Sequence, residues 1–205
     1  MGTVVTFDSG HGSLDSTHER STRNEIARRL AALKHFEFGG DYARARRYSQ
    51  PLYLVPRDTL CRSQLAGLAG VDPADPLFGG VVPHAFVATK AITHPLPRPD
   101  AAAPKGWSED FGRRVAPVVL RGFTAFDHES ALAAGRTLLR SGAVRIKRVC
   151  ATGGQGQTVA ADLEGLHAVL DTLSAQELST EGVVLEENLE PLGTWGIGQS
   201  RLGAC

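Results

Sequence analysis

The sequence predicts a mixed α/β fold, on three observations. Short β-branched runs alternate with segments of helical period along the whole chain. The N-terminal part reads strand, helix, strand, helix, an order that favours a parallel sheet because parallel strands need a crossover between them. Further on, a strand with one apolar and one cationic face runs into a glycine-rich turn, and a leucine-striped helix follows.

In chain order, TVVTF at 3–7 suits a buried strand, and DSGHGSLDSTHE follows as a loop. A helix is expected from near Thr22, where Thr22 and Glu25 have capping-box spacing and Ile26, Leu30 and Leu33 line one face. Gly39 and Gly40 mark a break after it; PLYLVP at 51–56 reads as a second strand and DTLCRSQLAGL at 58–68 as a short helix. Residues 92–107, ITHPLPRPDAAAPKGW, carry four prolines and three successive alanines, the composition of an exposed extended connection. Ser108 is a candidate N-cap for a brief helix that leads to a strand at APVVL, 116–120, and Gly122 then starts a turn. Asp127 caps the helix HESALAAGRTLLR, in which Ala131, Leu132, Leu138 and Leu139 share a face. In AVRIKRV, Val144 and Ile146 fall on one side of a strand and Arg145 and Lys147 on the other. ATGGQGQ turns the strand back into TVAAD, Asp162 caps a helix striped by Leu163, Leu166, Leu170 and Leu173, and GVVLEENL at 182–189 is the next strand. Trp107 and Trp195 read as core or loop anchors rather than stacking platforms.

The 22 basic and 22 acidic residues cancel, so no global field draws the protein to nucleic acid or anionic lipid, and any anion site must be local. No apolar run approaches the ~20 residues that span a bilayer, and no basic segment followed by an apolar stretch opens the sequence, so a soluble cytoplasmic protein is expected. Cys61, Cys150 and Cys205 are odd in number and widely spaced, which fits reduced thiols better than a disulfide framework or a zinc site. Cys150, beside the glycine turn, reads as a small strand residue rather than a reactive thiol.

A glycine-rich turn between two strands can bring several backbone N–H groups against phosphate oxygens, because no Cβ blocks the approach and positive φ is allowed. Gly153, Gly154 and Gly156 supply such a turn, and Lys147 on the preceding strand can neutralise phosphate charge near it. The order excludes a P-loop, in which the lysine follows the glycines and a helix comes next. Without further support an ordinary β-hairpin with an exposed lysine fits as well. GHGSLD near the N-terminus is a partial dinucleotide fingerprint with Asp15 in the place of its third glycine, and reads as a loop. Asp8, His11, Asp15, His18 and Glu19 match no metal-site spacing and read as a solvated cluster.

The stretch AVRIKRVCATGGQGQTVAADLEGLHAVL, followed by EGVVLEENLE, resembles the central segment of ATP-grasp proteins: strand lysine, glycine-rich flap, helix, then an acidic strand beside adenine. FVATKAITHPL sets Lys90 where those proteins often have a first ATP-contacting lysine, and VVLRGFTAFDHESALAAG is similar to the segment that follows. The likeness spans roughly residues 85 to 200. The whole sequence also resembles an uncharacterised bacterial ATP-grasp-like family that shares phrases close to PLYLVPRDTL and FGGVVPHAFVATKAITHPL. The resemblance implies an N-terminal α/β lobe of pre-ATP-grasp type over 1–84 and the first, nucleotide-binding lobe of an ATP-grasp fold over 85–205, with the second lobe missing and the sequence truncated at its C-terminal end. It implies ATP as cofactor, Lys90 and Lys147 on its phosphates, and a flap from Thr152 to Gln157, with Gly153, Gly154 and Gly156, over them. Glu186, Glu187 and Leu189 would border adenine, a backbone N–H and C=O of that strand reading its edge. Mg2+ is expected only with the missing lobe, whose acidic residues would hold it. The implied function is ATP-dependent ligation of a small-molecule acid through an acyl phosphate, with this fragment inactive; the alternative is a non-catalytic binding or scaffold domain. Arg148 stands where Lys-Pro is usual, and Arg121 where a proline usually precedes the glycine. Nucleic acid and membrane are not expected as partners; the acid, the nucleophile and the oligomeric state are left open.

Overall fold

The structure, a computed structural model, describes residues 1–8, 16–65, 68, 70–71, 77–151, 155–190 and 193. β1 (Thr3–Phe7) is buried throughout, and α1 (Thr17–Lys34) connects it to β2 (Glu37–Asp41). With β3 (Leu52–Pro56) these strands form a parallel sheet in the order β2-β1-β3. Side chains alternate across it. Val4 packs with Tyr53, Val55 and the α1 residues Ala27 and Ala31, while Val5 and Phe7 meet Leu52, Leu54, Leu60 and Leu77 on the other side. β4 (Leu60–Cys61), α2 (Arg62–Leu65) and β5 (Val81–Val82) follow, with β4 and β5 paired in parallel.

Two 3₁₀ turns, Ala85–Ala88 and Lys90–Thr93, lead to α3 (Asp110–Val115) and a third at Ala116–Val118. Then come β6 (Gly122–Ala125), α4 (His128–Leu139), β7 (Val144–Arg148), β8 (Gln157–Ala160), α5 (Leu163–Leu170), α6 (Ala175–Thr180) and β9 (Val183–Glu187). The four strands make an antiparallel sheet in the order β6-β9-β7-β8. Val144, Ile146, Ala160, Val183 and Leu185 form one apolar core with Ala131, Ala134 and Leu138 of α4 and Leu166 and Leu170 of α5. Asp127 and Asp162 cap α4 and α5 as predicted, their carboxylates accepting from the amides of Ser130 and Gly165.

Several boundaries differ from the sequence reading. α1 starts at Ser16, not near Thr22: Ser16 and Glu19 form the capping box, and Glu25 instead pairs with Arg29 along the helix. Its buried face is Ala27 and Ala31, whereas Leu33 is 62% exposed, because small residues let the helix lie close on β1. Gly39 and Gly40 are inside β2 rather than at a break; a Cβ on Gly39 would stand 2.7 Å from Thr3 Cγ2, so the strand needs glycine for its close approach to β1. Of the helix expected over 58–68, the described residues show Arg62–Leu65, preceded by the short strand Leu60–Cys61, while 66 and 67 lie outside the described residues. APVVL is not a strand: Ala116–Val118 continues α3 as a 3₁₀ turn, Val118 is 83% exposed, and the strand begins at Gly122, where a turn was expected. α6, capped by Ser174, was not foreseen. Among the described residues no helix is long and apolar enough to cross a membrane.

Candidate functional site

Strand register builds the site. Arg145 lies opposite Glu186 and Lys147 opposite Val184, so Lys147 and Glu186 are diagonal neighbours on the sheet face away from α4 and α5. Lys147 Nζ forms an ion pair with Glu186 Oε1. The carboxylate needs that cation, since Glu186 is 6% exposed and an uncompensated buried charge is costly. Arg145, on the same face, donates to Gln157 Oε1 at 3.2 Å and Asn188 Oδ1 at 2.6 Å.

Part of this face is covered by the segment from Ala85 to Trp107. Phe86 and Ala91 pack on Phe126, Val149 and Val184, with Trp107 at the margin, 5.0 Å from the Phe126 ring centre. Two hydrogen bonds of Thr124 in β6 pin the covering segment: its amide donates to the Pro95 carbonyl at 2.9 Å and its hydroxyl to the Ala91 carbonyl at 2.7 Å. Residues 92–95 are therefore held against the sheet, and the exposed linker expected from 92 begins later; His94 is 3% exposed.

The anchored turn aims Lys90 and His94 at the sheet. Lys90 Nζ donates to the carbonyl of Arg148 at 3.1 Å and to that of Ala151, the two ends of the turn leaving β7. Burial first, then the charge of Lys147, lowers the Lys90 pKa. His94 Nε2 lies 3.0 Å from the Leu120 carbonyl and 3.8 Å from Glu186 Oε2, and Nδ1 lies 2.7 Å from Thr93 Oγ1. Burial lowers the His94 pKa, against the opposing pull of the Leu120 carbonyl and Glu186. Gly122 makes room for the ring: a Cβ there would sit 2.6 Å from His94 Cδ2 and 2.5 Å from the Leu185 carbonyl oxygen. Lys90, Thr93, His94, Leu120, Lys147 and Glu186, with two valines, line a cleft of about 340 Å³. That is at the small end of the ~300–1,000 Å³ of ligand pockets.

Over residues 6–205 the sequence matches the family described as "Protein of unknown function (DUF3182)". The protein belongs to this family. No curated protein matches it. Among solved structures, D-alanyl-alanine synthetase A from Vibrio cholerae O1 biovar eltor is similar at 13% identity and a TM-score of 0.53, covering 93% of this chain and 60% of the synthetase. A RimK domain protein ATP-grasp from Sphaerobacter thermophilus is similar at 14% identity over 91% of this chain and 64% of its own, with a TM-score of 0.40 that is too low to bear on the fold. The DUF3182 protein thus spans less than two thirds of the length of either structure. At 13% identity the likeness to the synthetase is one of fold alone, a mixed α/β architecture shared over part of that protein's length.

In this DUF3182 protein, three predicted site residues, Lys90, Lys147 and Glu186, come together from separate segments. Gly156 has φ +62, and a Cβ there would stand 2.8 Å from that of Ala151, so the end of the turn requires glycine. Thr152, Gly153 and Gly154 lie outside the described residues, as do Trp195 and Cys205. Glu187 departs from the expectation, for it points to the opposite face, 3.5 Å from Arg121. The backbone expectation narrows too: β9 is flanked by β6 and β7, and the amides of Glu187 and Asn188 donate to the carbonyls of Arg121 and Ala143. Leu189 follows the strand, 48% exposed. Arg148 is drawn away from the cleft into an ion pair with Glu177. His94 and Thr93 were not anticipated, since a histidine before a proline in a proline-rich stretch has the sequence character of an exposed linker. Of the N-terminal polar cluster, Glu19 serves as the capping partner of Ser16, while His11 and Asp15 lie outside the described residues.

Proposed function

We propose that the cleft between the Lys90–Thr93 turn and the polar face of β7 and β9 binds the phosphates of ATP. On this reading the protein from residue 85 onward is the nucleotide-binding lobe of an ATP-grasp protein of ligase type, which activates a small-molecule acid as its acyl phosphate. One observation carries it: two lysines and a buried glutamate converge at the root of a glycine-rich turn, in a fold similar to that of a D-alanyl-alanine synthetase. Lys147 would exchange Glu186 for a phosphate oxygen. Lys90, bound to the carbonyls of Arg148 and Ala151, would hold the stretch that leads into the glycine-rich turn beside the phosphates. With the amides of Glu187 and Asn188 engaged, that of Leu189 is the one proposed to read adenine. Among the described residues no three His, Cys, Asp or Glu side chains lie near enough to one another to hold a metal.

A second reading has its own support. Lys147 is satisfied by Glu186 and Lys90 by carbonyls, as in a scaffold domain whose lysines are structural. Calorimetric titration with a non-hydrolysable ATP analogue and with adenosine separates the two. A charge-assisted hydrogen bond contributes ~1.5–3 kcal/mol, so Lys147→Ala should weaken the analogue by about 10- to 150-fold and adenosine hardly at all. Absence of analogue binding to the unsubstituted protein would sink the proposal, and equal loss for both ligands would point to a damaged fold.

A further inference from the structure

Thr93 Oγ1 lies 2.7 Å from the Lys90 carbonyl and 2.7 Å from His94 Nδ1, and His94 Nε2 lies 3.0 Å from the Leu120 carbonyl. Each of these three contacts needs one hydrogen. The carbonyls supply none, the Thr93 hydroxyl one, a neutral imidazole one, and an imidazolium two. A neutral His94 leaves one contact unfilled; a protonated one fills all three. Next to this series of bonds, Glu186 turns Oε1 to Lys147 and Oε2 to His94 Nε2, 3.8 Å away. One buried carboxylate therefore stands between two candidate cations.

We propose that Lys147 and His94 alternate as the cationic partner of Glu186: when Lys147 turns to a bound anion, His94 takes up a proton and holds the carboxylate in place. The identity of that anion as an ATP phosphate rests on the reading above; the exchange does not. His94 is then a positioning residue, which lets Lys147 leave without stranding a charge on a carboxylate 6% exposed. Burial and Lys147 lower its proton affinity, and the Leu120 carbonyl and Glu186 raise it, so withdrawing Lys147 removes one opposing charge and frees Glu186 to act on the ring. Among the described residues, the acids on the neighbouring elements are already paired. β6 meets the ring with Gly122, and Lys90, on the same turn, is bound to carbonyls. On α3, which packs against His94 through Gly112, Asp110 is paired with Arg113, as is Glu109 just before the helix.

Histidine titration by NMR tests this without a nucleotide. With the His94 signal assigned through His94→Gln, its midpoint should rise by at least one pH unit, tenfold in proton affinity, in Lys147→Met. Adding Glu186→Gln to Lys147→Met should bring it down again. An unchanged midpoint in Lys147→Met, or the same midpoint with and without Glu186, overturns the proposal. Should Lys147→Met fail to fold, the unsubstituted protein with inorganic triphosphate, its binding verified by 31P NMR, reads the same shift, and an unmoved midpoint in the bound protein is equally fatal. Calorimetry of the ATP analogue in buffers of different ionisation enthalpy, above the free midpoint, should then find about one proton taken up, and none in His94→Gln. A shifted midpoint without analogue binding would defeat the ATP reading alone. Analogue binding without proton uptake would defeat the exchange alone.

Discussion

Lys147→Met and Glu186→Gln, separately and together, measure how far the ion pair supports the fold rather than a ligand. Removing one partner of a buried pair costs ~3–5 kcal/mol when the other is left uncompensated. Here the cost should be smaller, for two structural reasons. The Lys147 side chain is 21% exposed, so water reaches one end of the pair, and His94 stands 3.8 Å from the orphaned carboxylate. We expect about 2–3 kcal/mol for Lys147→Met, and about 1–2 for Glu186→Gln, whose stranded lysine can reach solvent. The double variant strands neither charge and should lose about 2 kcal/mol, less than the sum of the singles, a coupling of about 1–3 kcal/mol. Urea unfolding at pH 7.5, followed by circular dichroism, gives each value provided the slopes agree. Additivity within about 0.5 kcal/mol would refute the reasoning, because the two side chains would then not depend on each other despite their contact.

Three further outcomes follow from the same geometry. Leu166→Ala should destabilise by about 3–5 kcal/mol, because Leu166 is fully buried and so close to α4 that a Cβ on Gly135 would stand 2.4 Å from it; a loss under about 1 kcal/mol would mean the α4–α5 contact is loose. Desolvation, and then the charge of Glu181, push the thiol of the surface residue Cys150 up to about 11, so alkylation at pH 8, read by peptide mass mapping, should be about tenfold slower than in the urea-unfolded protein, where the thiol is at ~8.5. Equal rates would refute that environment. The hydrogen bond from Thr6 holds the Asp41 carboxyl below its usual range; a depressed carboxyl stabilises above its unfolded value of ~3.9, and that contribution is lost as pH falls through the folded value. Thr6→Val should therefore narrow the stability difference between pH 5 and pH 2.5.

What the sequence made legible was periodicity and capping. β1, β3, α4, β7, β8, α5 and β9 were all readable, because alternation in AVRIKRV, a leucine stripe and an aspartate N-cap are local signals. The misreadings arose where tertiary contact overrode local character. EFGGD looks like a break, yet β2 forms there because only glycine lets it pass Thr3. APVVL has strand composition, but Pro117 and its exposure hold Ala116–Val118 in a 3₁₀ turn, and the strand moves to GFTA, whose Gly122 meets His94. At α1 two capping boxes competed by spacing, and the pairing of Glu25 with Arg29 left only Ser16 and Glu19 to start the helix.

The candidate site was legible to the extent that one strand's alternation reveals it. Alternation in β7 sets Lys147 on the polar face, and alternation in β9 sets Glu186 and Glu187 on opposite faces, but which glutamate shares the face of Lys147 depends on register. A slip of one residue would have brought Glu187 to the lysine and turned Glu186 into the core. Sequence reasoning named both glutamates and could not choose between them; the pairing of Arg145 with Glu186 chooses. His94 lay further out of reach, because nothing in THPLP distinguishes a histidine clamped between Leu120 and Glu186 from one in an exposed linker. The glycine that admits its ring, Gly122, is 28 residues away and was read as a turn. A polar site formed where a covering segment meets a sheet is thus visible in sequence from the sheet side only. The covering side has to be found by asking which partner each buried charge requires, and for Glu186 that question leads to His94.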